Sequence, residues 1–185
     1  MVASQFYTGT GDSGSTIIGG GRVLKNDPLV HAIGDINELN AWLGVALQNV
    51  SDEMVSKQVH FIQNELFVIG AELASIADKR FTPKRAIADS DVEALQQAVE
   101  EVGGRAHKLK SFVLPGGPAG AAYLDLAATV ARRTERTIVE LMHKANGRKL
   151  NPAIEKYLNR LSSYLFWAAR AINAREGVDE ERPTY

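Results

Sequence analysis

VSKQVHFIQNELFVIGAELASIA, residues 55–77, carries Val55, Val59, Ile62, Leu66, Ile69, Leu73 and Ile76 in alternating steps of four and three. That spacing lines all seven side chains along one stripe of an α-helix, the seam of a helix packed in a bundle. The same period runs upstream through residues 29–50, with apolar residues at 33, 36, 39, 43, 47 and 50, and predicts a preceding helix. Downstream, DKRFTPKRAIAD (78–89) mixes charge with proline and reads as a loop. Ser90 and Glu93 then have capping-box spacing ahead of Val92, Leu95, Val99 and Val102, a shorter helix stopped by Gly103-Gly104. SFVLPGGPAG (111–120) is a second loop. A fourth helix is expected over 119–145 and a fifth over 152–175, parted by Asn146-Gly147 and opened by Pro152. No segment alternates at period two. The expectation is an all-α, five-helix bundle in one domain spanning 1–185: a Gly/Thr-rich N-terminal loop at 1–27, helices at 28–176 and a tail at 177–185.

At 185 residues the chain can bury a core without staples. Its 21 Lys and Arg nearly cancel 22 Asp and Glu, which argues against a surface tuned to nucleic acid or anionic lipid. The absence of cysteine excludes disulfides, thiolate metal sites and cysteine nucleophiles. The start lacks a basic-then-apolar leader, and no run is long and apolar enough to span a bilayer, so a cytoplasmic location is expected.

Two segments suggest polyphosphate chemistry. YTGTGDSGST (7–16) places Gly9, Gly11 and Gly14 in a G-x-G-x-x-G pattern and nearly makes a Walker A loop, but Ser15 stands where the lysine belongs and no buried strand precedes it. Composition alone fits a mobile glycine-rich tail equally well. Asp12 with Thr8, Thr10, Ser13, Ser15 and Thr16 nevertheless offers hydroxyl donors for phosphate and oxygen ligands suited to Mg²⁺. Arg132, Arg133 and Arg136 then sit on a helix whose core side is Val130, Thr134, Ile138 and Leu141. Such a stripe is usually a solvated face paired with local glutamates such as Glu135 and Glu140. If the fifth helix brings Asn159 and Arg160 alongside, it becomes a phosphate clamp. Glu140-x-x-His143 occurs once, whereas di-iron bundles need it twice, and His31, His60 and His107 stand isolated.

Six segments, in order, resemble the PduO-type ATP:cob(I)alamin adenosyltransferases: YTGTGDSGST, KNDPLV, GDINELN, FVLPGG, RRTER and NRLSSYLFWAAR. The resemblance implies a five-helix bundle assembled as a homotrimer, with ATP and corrinoid in clefts between subunits. It implies transfer of the 5′-deoxyadenosyl group of ATP to the cobalt of cob(I)alamin, a substrate, with release of triphosphate, Mg²⁺ accompanying ATP, and a flavoprotein reductase as a possible partner. By matched position, Tyr7, Thr8, Gly9, Gly11, Asp12, Gly14, Ser15, Thr16 and Lys25 meet the nucleotide, together with Arg132, Glu135, Arg136 and Asn159. Phe112 matches the phenylalanine at the lower axial side of cobalt, where excluding a ligand eases reduction of cobalt(II). Read without the resemblance, Phe112 is a loop hydrophobe plugging the core. Asn37, Arg132 and Phe112 form the implied catalytic and corrinoid-contacting set.

Four positions depart from the family pattern. Asn37 replaces an aspartate that pairs across the subunit interface with the arginine matching Arg132, and Ser163 replaces a second aspartate. Gly9 and Leu29 replace basic residues. Two negative and two positive side chains are thereby missing, which leaves open an ATP- or corrinoid-binding carrier or sensor with weak transfer, and beyond that a trimeric scaffold.

Overall fold

The computed structural model describes residues 9–144 and 150–185. Five helices follow a small hairpin: β1 Ser15–Ile18, β2 Gly21–Leu24, α1 Pro28–Leu47, α2 Glu53–Ala77, α3 Asp89–Gly103, α4 Ala119–Lys144 and α5 Pro152–Arg175. The seam that opens the sequence reading is the core of α2: Val55, Val59, Ile62, Leu66, Ile69 and Leu73 are all fully buried. Helix α4 lies between α1 and α5, with α2 on the far side of α1 and α3 on α5. The predicted core side of α4 holds, since Thr134 and Ile138 are 0% exposed and Val130 and Leu141 nearly so.

Short polar side chains start three helices. Asp27 accepts from the Leu29 N–H at 2.8 Å with Pro28 in the first turn, and Asp52 accepts from the Val55 N–H at 3.0 Å. Asn151 accepts from the Ala153 N–H at 3.0 Å ahead of Pro152. Each satisfies an N–H that the helix itself leaves unpaired. The α3 start differs from the Ser90/Glu93 expectation. The helix is capped at Ala88, which has no side-chain acceptor, and Asp91 reaches back to the Ala88 N–H at 2.8 Å. Helix α1 also ends at Leu47 rather than at 50. Ala145 and the Asn146-Gly147 break lie outside the described residues.

The all-α expectation needs correction at the N-terminus. β1 and β2 form an antiparallel pair with Ser15 opposite Leu24 and Ile18 opposite Gly21. The turn is Gly19-Gly20, both at positive φ (57° and 95°), where a side chain is strained. A Cβ on Gly19 or Gly21 would stand 2.5 Å from the carbonyl oxygen of Ala74 or Ala77, so the glycine run lets the hairpin lie directly on the end of α2. Among the described residues no helix is long and apolar enough to cross a membrane.

Candidate active site

The arginines of α4 divide into two groups. Arg133 turns toward α1, where it bonds Glu38 and sits 3.7 Å from Asp35. Thr137 donates to the Asp35 carboxylate at 2.6 Å from the next turn. The guanidinium holds the Glu38 carboxyl below its ordinary range. Its charge is therefore committed inside the chain. Arg132 and Arg136 are exposed, and Arg136 donates to the Arg132 carbonyl at 3.1 Å. Glu135 accepts from the Asn159 side-chain Nδ2 at 2.9 Å, and the Asn159 side-chain Oδ1 accepts from Arg160 at 2.9 Å. The expected convergence of α4 and α5 thus occurs through Asn159, which bridges a carboxylate and a guanidinium beside Arg132 and Arg136.

Asn37 is exposed on α1 between buried Ile36 and the engaged Glu38. Among the described residues no hydrogen bond joins it to Arg132. Two pairs of neighbours, 37/38 on α1 and 132/133 on α4, each send one side chain inward to the partner helix and one outward.

The glycine-rich segment folds on itself ahead of β1. Asp12 and Gly14 donate from their N–H groups to the carbonyls of Gly9 (3.2 Å) and Gly11 (3.3 Å), and the Lys25 N–H donates to Gly14 at 2.9 Å. Gly9 and Gly14 adopt φ of 67° and 77°. The Lys25 ammonium lies over Gly11, 3.3 Å from where a Cβ would stand. Arg22 reaches across from β2 and donates to the Ser15 hydroxyl at 2.7 Å, with the Ser13 hydroxyl 3.4 Å from that oxygen. Sequence reasoning passed over Arg22, because only the hairpin pairing turns it toward Ser15. Tyr7 and Thr8 lie outside the described residues. No hydrogen bond or ion pair links the described part of this segment to Arg132, Glu135, Arg136 or Asn159; the hairpin packs on α2 instead.

Phe112 does not plug the core. It is 82% exposed, at the rim of an open apolar pocket of about 570 Å³ that it shares with Leu109, Val113, Phe166, Pro183 and Tyr185. Its loop is tied down behind: the Gly116 N–H donates to Asp125 at 3.0 Å, Asn173 donates to the Gly116 carbonyl at 3.1 Å, and the Leu114 N–H donates to the Glu181 carbonyl at 2.8 Å. Arg170, 1% exposed, pairs with Asp125 at 2.6 Å and with Glu180 at 2.7 Å. These residues were also missed. The available signal was a lone arginine at the end of the apolar α5 stripe, in the quoted NRLSSYLFWAAR segment.

The model of one family, described as cobalamin adenosyltransferase, matches residues 6–172. The chain belongs to the cobalamin adenosyltransferase family. A corrinoid adenosyltransferase of Bacillus subtilis is 37% identical over 180 residues, 95% of this chain and 90% of that protein. The corrinoid adenosyltransferase PduO of Salmonella typhimurium is 40% identical over 89% of this chain, which spans 48% of that longer relative. Among solved structures, a phenylalanine-to-alanine variant of a PduO-type ATP:corrinoid adenosyltransferase from Lactobacillus reuteri, complexed with cobalamin and ATP, superposes with a TM-score of 0.86 at 35% identity. It covers 95% of this chain and 97% of that one.

As a cobalamin adenosyltransferase the chain needs a place for a polyphosphate, and two sets of exposed cations belong to the segments already described. Lys25 and Arg22 lie on the hairpin, and Arg132 and Arg136 lie on α4. Among the described residues no group of three His, Asp or Glu could hold a metal ion. The donors near the glycine turns are the exposed Asp12 carboxylate and hydroxyls. That set fits a Mg²⁺ carried on ATP phosphates and does not make a protein cage.

Proposed function

We propose that this chain transfers the 5′-deoxyadenosyl group of ATP to the cobalt of a reduced corrinoid, at a site completed between copies of the chain. The reading rests above all on one contrast: Arg133 is neutralised by Glu38 and Asp35, whereas its neighbour Arg132 is exposed beside the Asn159–Glu135 bridge. An uncommitted guanidinium next to an oriented amide is suited to a phosphate oxygen.

The cobalt(I) lone pair attacks C5′, forming the Co–C bond. The C5′–O bond breaks, and both its electrons leave with triphosphate. No proton moves at the reacting carbon, so no general base is required. The protein aligns nucleophile and carbon and stabilises the anion that departs. Arg132, Arg136 and Asn159 serve the triphosphate from α4 and α5, with Glu135 orienting the Asn159 amide. Gly11, Asp12, Gly14, Ser15, Thr16 and Lys25 serve it from the N-terminal segment, with Gly9, Tyr7 and Thr8 of the same stretch. Mg²⁺ on the phosphates supplies further neutralisation of the leaving group. Phe112 presents an apolar face to the corrinoid and denies cobalt a lower ligand.

Among the described residues no hydrogen bond or ion pair joins the two nucleotide-facing groups, which supports a site shared between subunits of a homotrimer. Asn37 and Arg132 then meet across that interface. The proposal takes the reaction to run in the cytoplasm, with a flavoprotein reductase delivering the reduced corrinoid.

Anaerobic mixing with chemically reduced cob(I)alamin and MgATP tests the reading. A light-sensitive alkylcobalamin and triphosphate should form, and Arg132→Ala should abolish both. Tight ATP binding without product would transfer the assignment to a carrier or sensor. Binding of neither ligand would leave a scaffold.

A further inference from the structure

Arg170 joins three segments that are far apart in sequence. It projects from α5, bonds Asp125 of α4 at 2.6 Å, sits 2.7 Å from Glu180 of the tail, and lies 5.1 Å over the ring of Phe166. Asn173, one turn on and 2% exposed, donates both to Glu180 at 3.1 Å and to the Gly116 carbonyl at 3.1 Å. Asp125 accepts the Gly116 N–H from the other side. The tail completes the arrangement through the Glu181 carbonyl, which accepts the Leu114 N–H.

A buried ion pair is weak evidence of stabilisation, since apolar residues of similar volume often do as well. What such a network supplies is direction. The loop at 111–117 lies outside any helix or strand, so its backbone donors and acceptors need partners from elsewhere. Apolar packing cannot fix where a carbonyl points, whereas a held amide can. Gly117 reports how close the fit is: it has φ of +110°, and a Cβ there would stand 2.1 Å from the Asn173 side-chain oxygen.

We infer that Asp125, Arg170, Asn173 and Glu180 are positioning residues for Phe112, with Glu180 the latch that seats the tail against the loop. The pocket wall is then a product of the latch. Phe112 and Val113 come from the loop, Phe166 from α5, and Pro183 and Tyr185 from the tail. The inference rests on the transferase reading only in taking Phe112 to face the corrinoid.

Glu180→Gln and Glu180→Ala in the full-length chain test it by three measurements. These are amide hydrogen exchange across residues 109–118, thermal unfolding, and the visible spectrum of cob(II)alamin bound with MgATP. Loss of one charged contact predicts about tenfold faster exchange at the Leu114 and Gly116 amides in Glu180→Gln, and more in Glu180→Ala. Because Arg170 keeps Asp125, the unfolding temperature should fall by no more than a few degrees, and ATP affinity should stay unchanged, while the four-coordinate cob(II)alamin fraction and turnover fall. Unchanged loop exchange in both variants overturns the inference, as does faster exchange spread over the whole bundle with a lowered unfolding temperature. A wild-type protein without corrinoid binding removes the transferase reading alone, and the exchange result still decides whether the latch holds the loop.

Discussion

Lowering the pH should weaken the fold through Asp52 in particular. This residue is 4% exposed and joins three elements: it caps α2, bonds Arg105 beyond α3, and takes a 3.0 Å contact from Arg175 at the end of α5. Its carboxyl is drawn down from an ordinary 3.8 to about 2, chiefly by the Arg105 hydrogen bond, against the opposing effect of burial. A folded-state pKa below the unfolded one means the contribution is complete above the ordinary value and is lost as pH falls toward about 2. The difference corresponds to about 2 kcal/mol, with about half of it gone near pH 3. Asp52→Asn keeps a cap oxygen and removes the charge. The freed Arg105 and Arg175 are 36% and 47% exposed and regain water, so the cost is about 2 kcal/mol, below the 3–5 expected for a fully buried orphan. Urea midpoints of both proteins at several pH values isolate the effect, because other carboxylates titrate equally in each. The gap should be constant above about pH 5 and should shrink to about half near pH 3. A gap that is the same at pH 3 as at neutrality refutes the reasoning.

Two functional predictions follow from the exposed charges. In the proposed inter-subunit site, Asn37→Asp would place a carboxylate opposite Arg132. A charged hydrogen bond there should raise kcat/KM for ATP about tenfold in steady-state assays; an unchanged value would mean that this chain anchors Arg132 by another route. Arg22→Ala removes the cation that reaches Ser15 and should raise the KM for ATP about tenfold, with kcat within about twofold. A KM indifferent to Arg22 would remove it from the nucleotide site.

The parts of the structure readable in advance were those governed by one helix at a time. The α2 stripe and the core side of α4 are fixed by period alone, and Pro152 marked the start of α5 because its ring suits only a first turn. The hairpin escaped because its strands are four residues long and lie at the surface, with Ile17 58% and Leu24 63% exposed, so the alternation of burial, partial even in β2, is too short to mark them in the sequence. Composition alone allowed the N-terminal glycines to belong to a mobile tail, whereas Gly19 and Gly21 serve close approach to α2. Position on α4 could show that Arg132 and Arg133 diverge by about 100°. It could not show that α1 would offer Asp35 and Glu38 to one and nothing to the other. Arg170 was quoted within a motif without a role, because its partners lie 45 residues upstream and in the tail.

Charge accounting across these features gives the proposed reaction a physical basis. The chain carries many basic residues, but the structure commits most of the well-placed ones. Arg85 is taken by Glu65 and Asp91, Arg105 and Arg175 by Asp52, Arg133 by Glu38 and Asp35, and Arg170 by Asp125 and Glu180. These pairs hold helices and loops in register and leave little net field. Arg132 and Arg136 on one side, and Lys25 with Arg22 on the other, stand apart from that scheme at the surface. Among the described residues no hydrogen bond or ion pair joins the two sets, so in the proposed site an anion recruited by both would lie between neighbouring copies of the chain. The leaving group of the reaction is such an anion, and attack at C5′ asks for nothing else from the polar side of the site. Of the four departures from the family pattern, Asn37 is exposed, Gly9 and Ser163 are partly exposed, and Leu29 is fully buried in the core of α1; none removes a member of a committed pair, so the first three bear on ligand affinity and assembly, whereas Leu29 is part of the packing of the bundle.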